Sequence, residues 1–115
     1  MNSIAERILS TDDFKSEEIE IEEWGGKFLL KELSARDREH FEDLFIKVSN
    51  GKGTVRDVRA RFIIKALHDL DGNRIFKSTD AQKLSEKSGS VINEVFEKAQ
   101  KICGINVDID EIEGN

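Results

Sequence analysis

Proline and tyrosine are absent from the 115 residues, and cysteine, methionine and tryptophan occur once each. Without proline, one helix breaker is missing along the whole length. The lone Cys103 cannot form an intramolecular disulfide, which suits a reducing cytoplasm. No apolar run approaches the roughly 20 residues that a helix needs to cross a bilayer. The opening "MNSIAERILS" has no basic stretch leading into an apolar one, so no secretory signal is read. Positive charge is scarce as well: 18 Lys and Arg stand against 24 Asp and Glu, a net charge of -6. That balance argues against nonspecific attraction to nucleic acid or to an anionic membrane.

What is present suits a small, charge-rich globular protein. Apolar and charged residues each make up 37% of the chain, and seven Phe can anchor a core. The length predicts one domain spanning 1–115 that buries roughly two thirds of its unfolded surface. Within it, residues 1–13 read as a short N-terminal helix or arm through Ile4, Ile8 and Leu9, residues 17–105 as the core, and 106–115 as an acidic tail.

Periodicity predicts an α+β fold, mainly helical, with one N-terminal β-hairpin. Ile19 and Ile21 alternate with Glu18, Glu20 and Glu22, the period of a half-buried strand. Gly25-Gly26 reads as the turn, and "KFLLKEL" as the returning strand. Ser34 then caps a helix that carries Phe41, Leu44, Phe45 and Val48 on one arc, with Asp37 in a capping-box-like position. A third helix is expected from near Thr54 through "VRDVRARFIIKALHDL", and a short helix or turn, capped by Ser78 or Thr79, over "TDAQKLSEKS". The pattern is cleanest in "SVINEVFEKAQKICG", where Val91, Ile92, Val95, Phe96, Ala99, Ile102 and Cys103 share a face and Gly104 supplies the stop.

Chemistry-bearing residues give little. Asp69, Asp71, Asn73 and Asp80 approximate EF-hand spacing, but Arg74 stands where that loop needs glycine and Asp80 where it needs a bidentate Glu. A turn is the simpler reading. His40 and His68 have no Cys or second His at zinc spacing, and both are expected on solvated faces. Cys103 falls inside an apolar arc, as a small hydrophobe. "GKG" at 51–53 is too short for a phosphate loop. No catalytic, cofactor or metal site is therefore predicted, and the chain is read as non-enzymatic.

Two further features concern surfaces. The cations of the third helix are split: Arg61 and Lys65 point one way and Arg59 lies among apolar neighbours, so no phosphate-tracking stripe forms. Arg59 either pairs with a carboxylate, Asp37 or a hairpin Glu, or snorkels to the surface. Ile46 and Ile64 lie off the main apolar faces of their helices. Either those helices are packed on more than one side, or the two residues belong to an exposed patch that receives another protein. An acidic rim would suit a basic, amphipathic helical partner.

The order of pieces also has a precedent. The hairpin followed by "LSARDRE", the "RARFI" helix, the turn of pattern D-x-DG-x-R-x-F, and L-x-EKS leading into the last helix cover residues 17–105. Together they resemble the tail assembly chaperones of long-tailed phages and defective prophage particles. The resemblance implies a non-enzymatic protein that binds the tape measure protein, keeps it soluble and helps bring tail tube subunits, with self-association as a further expectation. It also implies residence in the cytoplasm of the bacterial host and absence from the mature virion. The rivals are a connector or tail component retained in the particle and, behind it, a small nucleic-acid-binding regulator.

Overall fold

The computed structural model describes residues 3–51 and 57–105. In chain order these form helix α1 (Ile4–Leu9), strands β1 (Ser16–Ile21) and β2 (Gly26–Lys31), and helices α2 (Ala35–Ser49) and α3 (Val58–Ala66). Strand β3 (Leu67–His68), the short helix α4 (Ala81–Leu84) and helix α5 (Gly89–Cys103) follow. Thr54, Arg56, much of "GKG" and the acidic tail lie outside the described residues.

The predicted hairpin forms with a different turn. Ser16 pairs with Lys31 and Ile21 with Gly26, so Glu22–Gly25 make the connection and Gly26 already belongs to β2. A 3-10 turn over Glu22–Trp24 ends at Gly25, whose φ of 87° is the left-handed value that a Cβ disfavours. This longer connection lets Trp24 pack against the edge of the core. Along β1, Ile19 and Ile21 are buried while Glu18 and Glu20 face water, as the alternation requires; Glu17, in phase with the isoleucines, is exposed near the start of the strand.

The sheet has a third strand that periodicity missed. Leu67 and His68 pair antiparallel with Leu30 and Leu29, which makes β2 the central strand of the order β1-β2-β3. Helix α3 therefore stops at Ala66, where the expected helix ran on through "LHDL". Pairing with the free edge of β2 and burial of Leu67 outweigh a weak helical propensity. The chain then turns on Asp69, whose Oδ1 accepts the backbone N–H groups of Asp71 and Asn73, each at 2.9 Å. The turn reading of that segment holds.

Helix starts follow the sequence in α2, where Ser34 Oγ accepts the Asp37 N–H at 3.2 Å. They depart from it before α4. There Asp80, not Ser78 or Thr79, supplies the side-chain bond, accepting the Lys77 N–H at 2.8 Å. Helix α5 ends as expected. Gly104 adopts φ 68°, and the N–H groups of Gly104 and Ile105 return to the carbonyls of Lys101 and Gln100. This is the Schellman pattern, with buried Ile105 as its apolar contact.

The core lies between the sheet and the three long helices. Helix α3 is buried on more than one side: Val58, Ala60, Phe62, Ile63, Ile64 and Ala66 are all inside. A phenylalanine ladder ties the helices together. The Phe41 and Phe62 ring centroids are 5.1 Å apart, and Phe62 meets Phe96 edge-on at 5.4 Å. The end of α5 is fastened to the β2–α2 junction, where Arg38 Nη1 donates to the Cys103 carbonyl at 2.7 Å and the Leu33 N–H to Cys103 Sγ at 3.4 Å.

Candidate protein-binding surface

The largest departure from ordinary burial is at the N-terminus. Ser3 Oγ caps α1 by accepting the Glu6 N–H at 3.1 Å, and the Ser10 and Thr11 hydroxyls donate to the Arg7 carbonyl at its end. Six residues of helix are marginal alone, because a nucleus is costly and few bonds repay it. No residue of α1 is buried. Ile4, Ile8 and Leu9 are 67, 62 and 85% exposed, and Phe14, just beyond, is 46% exposed.

Among the described residues, 3–14 hydrogen-bond only with one another. The segment is tied to the fold at Lys15, whose backbone exchanges with Glu32: the Lys15 N–H reaches Glu32 Oε1, and the Glu32 N–H reaches the Lys15 carbonyl, each at 2.9 Å. Acids follow the apolar residues closely: Asp12, Asp13, Glu17 and Glu18. The result is an apolar arm with an acidic root. Burying what these four side chains still expose is worth on the order of 4–8 kcal/mol before the costs of association.

The two residues expected to mark a binding patch part company. Ile46 is 61% exposed on the outer face of α2, beside the Asp43–Lys47 ion pair. Ile64 is 2% exposed, so the exposed-patch reading does not hold for it. It points off the main face because α3 is packed on a second side. A further apolar groove of about 390 Å³ opens between Trp24, Phe28, Ile75, Phe76 and Leu84, with Lys83 and Lys87 at its rim. The α1 pattern in the sequence does not by itself assign the helix a role. The available signal was a helix with apolar residues at i, i+4 and i+5, bounded by acids and too short to stand alone.

The titratable groups serve the fold. His68, expected on a polar helix face, is instead buried in β3, where its Nδ1 lies 2.9 Å from the Ala66 carbonyl. Burial pushes its pKa down, with Lys31 and Arg74 adding to the effect against the carbonyl contact and Asp69. Burial likewise pushes the Cys103 thiol up, the opposite of an activated nucleophile. Asp37, a candidate partner for Arg59, receives Lys65 at 3.8 Å and Arg74 at 3.4 Å. The Arg59 guanidinium lies 5.9 Å over the Phe96 ring.

Comparison with known proteins completes the picture. A family model for phage tail assembly chaperones matches residues 4–115. The chain belongs to the phage tail assembly chaperone family. Its fold is shared with the tail assembly chaperone of bacteriophage HK97 at a TM-score of 0.60 and 20% identity, over 90% of this chain and 96% of that one. No curated protein matches it significantly. Membership gives the chaperone a role in tail assembly, with tail proteins as its class of partner.

Proposed function

We propose that this chaperone works without catalysis, by binding the tape measure protein, holding it soluble and assisting assembly of the tail tube around it. On this reading it acts in the cytoplasm of the bacterial host and is absent from the mature virion. The observation that carries the proposal is the exposed apolar arm of Ile4, Ile8, Leu9 and Phe14 with its acidic root. Reversible burial of that arm supplies affinity without a deep site, and the acids favour a partner whose helices are both apolar and basic. Ile46 offers a second apolar contact. Weak contacts repeated along a long partner add by avidity, so no single one has to be tight.

Co-expression with the tape measure protein tests this. The wild-type chain should keep the partner in the soluble fraction, and Ile4→Asp/Ile8→Asp should lose that effect while unfolding at the same temperature. Full rescue by the double variant would remove the arm from the mechanism. Stoichiometric retention of the protein in purified particles would favour a structural tail component instead.

A further inference from the structure

A second surface has the opposite charge. Between the first turns of α2 and the middle of α3 lies a cleft of about 520 Å³, with Arg36, His40, Arg61 and Lys65 around it and the buried Ile64 and Phe41 beneath them. Its one carboxylate, Asp37, already carries two cations, Lys65 and Arg74. Among the described residues neither Arg36 nor Arg61 stands in an ion pair. A protein of net charge -6 therefore gathers two uncommitted guanidinium groups beside a concave, partly apolar surface.

We infer that this cleft between α2 and α3 is a docking site for an acidic, apolar-containing segment of a polypeptide partner. Guanidinium groups bind carboxylates through paired, directional N–H donors, and two of them can take two acids of one helical turn. The aliphatic stems of Arg36, Arg61 and Lys65 offer contact to an apolar side chain between those acids. Nucleic acid would also bring anions, but a duplex carries about one charge per 1.7 Å and would meet the repulsion of the whole acidic chain. A short carboxylate segment meets mainly the local field. The inference takes from family membership only that the partner is a protein, and it is independent of the arm.

The test uses the full chain at physiological ionic strength, where distant charges are screened, and the fluorescence anisotropy of a labelled peptide of repeating Leu-Glu-Glu. A matching Leu-Lys-Lys peptide and a single-stranded DNA of equal charge serve as the other probes. The acidic peptide should bind, and Arg36→Glu/Arg61→Glu should weaken it at least about tenfold, consistent with loss of close charge pairs. Arg36→Gln/Arg61→Gln should weaken it less and leave the unfolding temperature unchanged, which separates lost charge from lost fold. Ile4→Asp/Ile8→Asp should have no effect here, so failure of the arm and failure of the cleft are distinguishable. No binding of the acidic peptide, equal binding to the arginine variants, or a preference for the basic peptide or the DNA would overturn the inference.

Discussion

Helices α3 and α1 use similar residues and reach opposite ends of the burial scale. The first, "VRARFIIKA", places six of its nine residues in the core, whereas "IAERIL" places none of its six there. Apolar content does not separate them; neighbours do. Helix α3 is covered by α5 and α4, is joined to the phenylalanine ladder, and runs directly into a strand of the sheet. Among the described residues helix α1 makes no hydrogen bond or ion pair to the rest of the fold, and the chain joins it at the Lys15–Glu32 exchange. An apolar residue on α3 therefore contributes to folding, while one on α1 stays exposed to solvent.

The strongest way to break that contrast is Phe62→Ala. It removes the ring joining Phe41 to Phe96 and should cost about 3–5 kcal/mol by denaturant titration. A loss below about 1 kcal/mol would mean that the ladder is not what holds α3. The isoleucine pair comes next. Ile64→Ala should cost about 2–5 kcal/mol. Ile46→Ala should stay within about 0.5 kcal/mol, so equal effects would contradict the opposite burials described above.

A smaller effect comes from His68. Its pKa in the fold is pushed below the ordinary 6.5, so between the two values the unfolded chain binds more protons than the native one. The stability that its neutral state supports is present above pH 6.5 and is lost as pH falls through the folded value. His68→Gln should flatten that acid limb in a series of melts from pH 7.5 downward, and an unchanged limb would locate the titration elsewhere. The smallest effect expected is on the arm, where Ile8→Ala should leave the melting temperature essentially unmoved.

Much of this contrast was legible in the residues, but unevenly. The α5 face and its Gly104 stop could be read off because a long amphipathic pattern and a glycine cap are local signals. Ser34 as a cap was equally local. The third strand was not, since Leu67 and His68 become extended only because β2 offers a free edge from far away in sequence. His68 follows the same logic: on a helical projection it falls on a polar face, whereas the sheet buries it. Ile64 and the arm show the limit most plainly. Periodicity marks a residue as off-face or a helix as short, but whether something covers it is a tertiary fact. The cationic cleft likewise needed two helices brought together before Arg36 and Arg61 became neighbours of one cavity.

On the proposed function, residues 3–14 form the main partner-binding face. Hydrogen exchange on the full chain, with and without the tape measure protein, tests it most directly. The account predicts rapid exchange at 3–14 in the free protein, strong protection there in the complex, and little change along α5. Protection elsewhere with the arm unaltered would contradict it.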